Sequence, residues 1–137
     1  MTTTEEARPP PRLGRSALAV LAGLAANVVL AMLADQLMYA LAVFPRPPAV
    51  SSETGPYLIA TAYRAAFGVA GSWLAARLAP SRPMRHALIL GGIGLVLCAA
   101  GLVAAFSMDL GPVWYPIALL VMTPACAWLG GVLGARR

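Results

Sequence analysis

The sequence has no lysine and few charged residues of any kind. Only 11% of its 137 residues are charged, whereas soluble domains average about 25%. Hydrophobic residues make up 60% of the chain, and the mean hydropathy is +0.77. A water-soluble fold of this size could not bury so much apolar surface, so lipid must be the solvent for most of it. All ten basic residues are arginine, which, with abundant alanine and glycine, is typical of a GC-rich bacterial genome.

Motifs for catalysis or metal binding are also lacking. The chain contains no phosphate-binding loop, no CxxC and no HExxH. Its one histidine, His86, cannot assemble an ordinary metal site by itself. A serine hydrolase would need a serine beside that histidine, and Ser72 fits better as a small packing residue. We therefore expect no catalytic residues, no metal and no cofactor.

The two cysteines and the positive charge each exclude a further class. Cys98 and Cys126 lie within hydrophobic runs, where cysteine is a common small buried residue, so we expect no disulfide. The net charge is +5, but the arginines flank hydrophobic runs instead of forming a basic patch. We therefore expect no nucleic-acid partner.

Four long hydrophobic segments account for most of the chain. A helix needs about 20 residues to cross a bilayer, and in lipid every backbone amide needs a partner within its own helix or a closed barrel. We predict an all-α membrane protein with four transmembrane helices in an antiparallel bundle, which forms one domain over 16–137. The helices are predicted at about 16–44, 57–79, 86–106 and 113–135, after a disordered cytoplasmic tail over 1–15 that contains three consecutive prolines.

The first segment has a competing interpretation as a cleavable signal peptide. Arginines precede a hydrophobic run, and ALA follows at 40–42. A signal core usually has about 7–15 residues, whereas this run is much longer and contains Asp35 and Gln36. We therefore interpret it as the first membrane helix.

The arginines also predict the orientation. Eight of them lie in the tail, around the second connection or at the end of the chain, at Arg8, Arg12, Arg15, Arg77, Arg82, Arg85, Arg136 and Arg137. The first connection has only Arg46, balanced by Glu53, and the third carries Asp109. Positive loops stay in the cytoplasm, so we predict that both termini are inside and that Ser51 faces outside. Tyr57, Trp114 and Tyr115 then fall at the outer interface, where aromatic residues are enriched.

One charged residue stands out within the hydrophobic segments. Arg64 has no other charged residue within ten positions on either side. Asp35 lies at a similar predicted depth on the preceding helix, and a lone charge in lipid costs at least about 2.5 kcal/mol, so such groups face the interior and pair. We predict an Asp35–Arg64 ion pair within a small polar cluster that either locks the first two helices together or binds a solute, proton or lipid headgroup. The predicted members are Asp35, Arg64, Tyr39, Tyr63, Gln36 and Thr61.

Small residues mark the faces on which the helices are expected to meet. At 100° per residue, Arg64, Gly68 and Gly71 share one face of the second helix, and small residues let membrane helices approach closely. Such faces serve internal packing or dimerisation, and the sequence leaves both open. The candidate packing residues are Gly23, Gly68, Gly71, Gly91, Gly94, Gly130 and Gly134.

Three stretches carry a resemblance to other proteins. With TAYR at 61–64, ARLAPSRPMRHALILG at 76–91 and GPVWYP at 111–116, the chain resembles small four-helix integral membrane proteins of bacteria that have no established activity. In helix count and size it is also similar to small multidrug-resistance transporters. That resemblance implies proton-coupled export by a glutamate in the first helix. Here the acid is Asp35, with an arginine partner, and this departs from the family's pattern.

These observations favour a non-enzymatic multi-pass protein of the bacterial inner membrane. We expect a scaffold, accessory or assembly factor whose partners are the lipid bilayer and a larger membrane protein or further copies of the chain. The alternative is a small oligomeric transporter or channel that binds a solute or proton at the polar cluster. A lipid-modifying enzyme is disfavoured because the catalytic residues are missing.

Overall fold

The computed structural model describes residues 12–46 and 49–136. In these ranges the chain forms four helices, and the prediction of an all-α protein with four helices is confirmed. They are α1 (Leu13–Ala40), α2 (Thr54–Leu78), α3 (Pro83–Met108) and α4 (Trp114–Ala135).

The helix boundaries differ from the predicted ones by up to four residues. α1 begins at Leu13 instead of Ser16, so the end of the predicted disordered tail is helical, while residues 1–11 lie outside the described residues. It ends at Ala40 because the chain turns there, with Ala42 at a φ of 57°. α3 begins at Pro83, well before His86, because proline lacks only an N–H that the first turn does not use.

Three of the four helices are long and apolar enough to cross a membrane. They are α1, α3 and α4, with mean hydropathies of 2.3, 2.5 and 1.9 over their most apolar windows, which indicates a membrane protein. Among the described residues, α2 is not apolar enough over such a length to be counted with these three helices. It carries Arg64 near its middle and Arg77 near its end.

At one end of the bundle, which we call the closed end, the helices pack tightly around a group of small side chains. Early residues of α1 meet late residues of α2 there. A Cβ added to Gly23 would lie 2.5 Å from the Gly71 carbonyl oxygen, so the two backbones are in contact. Val20, Ala75 and Leu90 form the buried core beside them, and the small residues allow this close approach.

The opposite part of the bundle is looser, because α1 is attached almost entirely through α2. α2 packs extensively against both α1 and α4, and α3 packs against α4. By contrast, α1 has few contacts with α3, and the described residues show none between α1 and α4. A gap therefore separates α1 from the α3–α4 pair, and we call this region the open end.

Candidate functional site

The predicted ion pair is present at the open end. The Arg64 Nη2 donates to the Asp35 Oδ2 at 2.7 Å, which joins α2 to α1. The side chains are only partly covered, with exposed fractions of 34% for Arg64 and 28% for Asp35. The contact agrees with the similar predicted depths of the two residues, because a short connection leaves two consecutive helices few ways to pair.

Asp35 has a second hydrogen-bond donor, which lies on α2 next to Arg64. The hydroxyl of Tyr63 donates to the Asp35 Oδ1, so adjacent residues of α2 hold one oxygen each. The carboxylate is thus neutralised by Arg64 and hydrogen-bonded on both oxygens. We call these three residues the Asp35 latch.

The other three residues of the predicted polar cluster do not join the latch. Gln36 is exposed, because it lies 100° around the helix from Asp35. The Thr61 hydroxyl donates to the Tyr57 carbonyl of its own helix at 2.7 Å, the local bond that threonine favours within helices. The Tyr39 ring packs edge-on against Phe44, with centroids 6.4 Å apart.

Arg64 has a further neighbour that the sequence did not identify. Tyr115, the second residue of α4, lines the same cavity as Arg64. The sequence placed this tyrosine only at the outer interface, because nothing in a single sequence indicates that α4 packs beside α2. The Arg64 Nε is buried and has no hydrogen-bond partner among the described residues.

A cavity of about 600 Å³ occupies the gap between α1 and the α3–α4 pair. Its walls come from all four helices and are mostly apolar. Asp35, Arg64 and Tyr115 line it near one end, whereas Leu24 and Leu90 line it toward the closed end. The ion pair of Asp35 and Arg64 therefore lies on the wall of an apolar space.

The cavity has an apolar mouth on the side of the bundle. Val28 and Met32 on α1 and Leu97 on α3 line the cavity, yet they are exposed by 44%, 61% and 55%. These residues form its rim between α1 and α3. Because the rim lies partway along the helices and carries no charge, the mouth suits hydrocarbon better than water.

Aromatic rings cover the end of the cavity that lies nearest the first and third connections. Tyr57 is buried and its ring lies 5.4 Å from Phe44 and 5.1 Å from Tyr115, centroid to centroid. Its hydroxyl donates to the Ser51 carbonyl at 3.2 Å. Gly111 has a φ of 119°, and an added Cβ there would meet the Tyr57 hydroxyl, so this position requires glycine. We call the rings of Phe44, Tyr57 and Tyr115 the aromatic cap.

The candidate packing glycines face other helices of the same chain. A Cβ on Gly130 would lie 2.5 Å from the Val69 carbonyl, and one on Gly134 would lie 2.8 Å from the Trp73 carbonyl. This GxxxG face of α4 is therefore occupied by α2 and is not free for dimerisation. The remaining candidates, which also face α1, α2 or α4, are Gly23, Gly68, Gly71, Gly91 and Gly94.

The residues considered for catalysis have structural surroundings. Ser72 is buried where α2 meets Gly130. The His86 Nδ1 lies 3.1 Å from the Arg82 carbonyl, at the first turn of α3. Cys98 and Cys126 are free thiols. In the ranges 12–46 and 49–136, no three His, Cys, Asp or Glu residues are placed to hold a metal ion.

No protein-family model, curated protein or solved structure matches the chain. The resemblance to small four-helix bacterial membrane proteins therefore stays a prediction that depends on the three sequence stretches given above. The latch, the cavity and the helix surfaces are the features of the molecule that bear on its function.

Proposed function

We propose that the protein is a four-pass, antiparallel bundle of the bacterial inner membrane, with both termini in the cytoplasm. The apolar lengths of α1, α3 and α4 support three crossings. α2 is a suitable fourth crossing because Arg64, the charged residue near its middle, is neutralised inside the bundle by Asp35. The distribution of arginines between the connections supports the orientation.

Within that membrane the protein acts as a non-enzymatic scaffold or assembly factor. The observation that carries this proposal is the position of α1, which the latch holds on α2 while most of its surface stays uncovered. Leu33 and Leu37 are exposed by 63% and 54% on this helix. A helix presented in this way gives a membrane partner a long apolar face.

Site-specific photo-crosslinking in cells tests the scaffold role. A photoreactive phenylalanine analogue at Leu33 reports on the free face of α1, and the same analogue at Val121, 70% exposed on α4, is the matched control. We expect Leu33 to give one discrete protein adduct that keeps a fixed stoichiometry through purification, and Val121 to give none. Lipid adducts alone at both positions would contradict the scaffold role.

A second function, solute or proton binding by an oligomer, is favoured by the location of the latch. Asp35 and Arg64 line the cavity, and ionisable groups inside membranes often mark transport paths. In the crosslinking experiment, an adduct between two copies of the chain would favour this function over the scaffold.

Proton flux into vesicles then separates the two functions. If the oligomer conducts protons through Asp35, vesicles that contain the wild-type protein dissipate a pH gradient faster than empty vesicles, and Asp35→Asn abolishes the difference. Equal rates in wild-type and empty vesicles would exclude this proton path.

A further inference from the structure

The closed end of the bundle collects the arginines that flank the hydrophobic runs in the sequence. Six described arginines lie there, near the beginnings of α1 and α3 and the ends of α2 and α4, and all six are exposed. They are Arg12, Arg15, Arg77, Arg82, Arg85 and Arg136. Among the described residues no aspartate or glutamate lies at this end, because Asp35, Glu53 and Asp109 lie toward the open end. The closed end is therefore a strongly positive surface.

Arg77 and Arg136 are adjacent at this surface. The Arg77 Nη1 donates to the Arg136 carbonyl at 3.0 Å, which ties the end of α2 to the end of α4. This bond uses one of the five N–H donors of a guanidinium, and within the described residues neither arginine has a carboxylate partner. Two neighbouring cations without an acid repel each other. A phosphate between them would offset this repulsion and accept the charge-assisted hydrogen bonds that arginine forms well with phosphate.

The packing of α4 on α2 produces an apolar groove beside these two arginines. Gly130 and Gly134 face α2, whereas Gly131 faces α3. Leu129 and Leu133 each precede one of the first two glycines by one residue, or 100°, so they lie on the side of α4 away from α3. They border the α2–α4 contact from outside and are exposed by 44% and 41%.

Trp73 forms the other wall of this groove. A Cβ on Gly130 would lie 2.6 Å from the Ser72 Cβ, so Ser72 faces α4, while the preceding Gly71 contacts α1. Trp73 follows Ser72 by 100° and therefore lies on the side of α2 away from α1. Because α1 and α3 contact each other on one side of the α2–α4 pair, both walls of the groove face outward. The Trp73 side chain is 41% exposed and lies one turn, about 6 Å, before Arg77.

The combination of arginines and groove selects a lipid over a free anion. An inorganic phosphate would contact the guanidinium groups alone and leave the apolar walls without a partner. Tryptophan is enriched at the level of the lipid headgroups, and basic clusters at the cytoplasmic ends of membrane helices attract anionic lipids. A phospholipid with a net negative charge can place its phosphate at the arginines and an acyl chain along the groove, whereas a zwitterionic lipid adds a cation beside them.

We propose that the outer groove between α2 and α4 binds one anionic phospholipid of the cytoplasmic leaflet. Its phosphate lies between Arg77 and Arg136, and one acyl chain lies against Trp73, Leu129 and Leu133. This inference depends on the membrane placement and orientation proposed above. It does not depend on the scaffold role, because α1 packs on another side of α2.

Quenching of a single tryptophan tests the position of the lipid. With Trp114→Phe and Trp128→Phe, Trp73 is the one tryptophan of the chain, and bromine atoms on an acyl chain quench its fluorescence at short range. The probes are brominated phosphatidylglycerol and phosphatidylcholine with the same chains, added in an uncharged detergent. Each basic residue near a membrane surface favours anionic lipid about fivefold, so we expect half-maximal quenching at an about 10- to 30-fold lower concentration of phosphatidylglycerol. Equal concentrations of the two lipids would overturn the proposal.

Trp128 provides the matched control for position. It lies on α4 two residues before Gly130, or 200° from the face that meets α2, and it is 58% exposed. In a variant with Trp73→Phe and Trp114→Phe, we expect the preference for phosphatidylglycerol to be at least about fivefold smaller than at Trp73. The same preference at both tryptophans would show that lipid collects around the whole positive end and would overturn the groove.

Exchange of single arginines tests the phosphate contact in the Trp73 protein. We expect Arg77→Gln and Arg136→Gln each to raise the phosphatidylglycerol concentration for half-maximal quenching about fivefold. Arg15→Gln removes the same charge from α1, which packs on another side of α2, and should leave this concentration nearly unchanged. Equal effects of the three variants, each shown to be folded by circular dichroism, would overturn the assignment to Arg77 and Arg136.

A competitor separates a lipid site from a site for free phosphate. Both ligands offer phosphate oxygens to the two guanidinium groups, but inorganic phosphate has no chain for the groove. At constant ionic strength we expect inorganic phosphate, at the concentration of the lipid, to leave the quenching of Trp73 unchanged. Recovery of the fluorescence would overturn the lipid assignment. Crosslinking from Leu33 reports on α1 alone, so failure of the lipid proposal and failure of the scaffold role are distinguishable.

Discussion

At the scale of single residues, the latch holds the two oxygens of Asp35 by donors on adjacent residues of α2, Tyr63 and Arg64. The arginine and the aspartate are isolated charges on helices joined by a short connection, so the sequence offered each of them few other partners for an ion pair. Tyr63 was also expected, because it precedes Arg64. For Tyr115 the sequence predicted only a position at the interface, because its place beside Arg64 in the cavity lining depends on which helix α4 packs against, and charge and periodicity do not determine that.

Removal of either charge of the latch is expected to destabilise the protein. Asp35→Asn and Arg64→Gln each leave the other charge without a partner, and we expect each to lower the free energy of unfolding in detergent by about 1–3 kcal/mol. This is less than the loss for a fully buried pair, because both side chains are partly exposed. The double variant should recover much of the loss. Additive losses in thermal denaturation would contradict a coupled pair.

The tyrosine of the latch provides a smaller and more specific test. Tyr63→Phe removes one hydrogen bond to Asp35, and we expect a loss of about 0.6 kcal/mol, the average for such bonds in a membrane protein. Tyr39→Phe is the matched control, because the described contact of that residue is between its ring and Phe44. Equal melting temperatures of the two variants would show that the Tyr63 bond contributes no stability.

At the scale of helices, the sequence predicted the number and type of elements but not their ends. The apolar runs gave four helices, since each run was long enough to satisfy its backbone internally. The beginnings of α1 and α2 were displaced because a helix can extend beyond its apolar run, here into Leu13–Arg15 and Thr54–Pro56. Periodicity identified the small faces, but the sequence left internal packing and dimerisation open.

Two adjacent glycines of α3 provide a direct comparison of packed and open positions. A Cβ on Gly91 would lie 2.5 Å from the Ala127 Cβ of α4, whereas one on Gly92 meets nothing within 4 Å. We expect Gly91→Ala to destabilise the protein by about 1–3 kcal/mol through overpacking. Gly92→Ala should be neutral or stabilise it by up to about 1 kcal/mol, because alanine favours helix. Thermal denaturation that ranks the variants in the opposite order would contradict the α3–α4 packing.

At the scale of the whole molecule, the cavity was the feature that the sequence could not predict. It arises because α1 contacts α2 but not α4, and this is a property of tertiary packing. Tyr57 and Tyr115 of the cap were expected to lie at one interface. Their arrangement around Tyr57 depends on Gly111 and on the path of the first connection, neither of which follows from hydrophobic periodicity.

The proposed orientation predicts which connections an impermeant thiol reagent reaches. In a background with Cys98 and Cys126 replaced by alanine, Ser52→Cys places a thiol in the first connection, close to the predicted outer position Ser51. Ser81→Cys places one in the second connection. Both serines are exposed. We expect intact cells to be labelled at position 52 alone and permeabilised cells at both. Labelling of intact cells at position 81 alone would reverse the topology.

The Asp35 latch also has a consequence for how the chain enters the bilayer. Asp35 and Arg64 would each cost at least about 2.5 kcal/mol if its helix inserted alone, and α2 is the helix least suited to do so. Once the two charges meet, most of that cost is removed. We therefore expect the α1–α2 hairpin to be the unit that leaves the insertion machinery. α1 is translated first and should stay at that machinery until α2 has been made, so that both helices are released into lipid together.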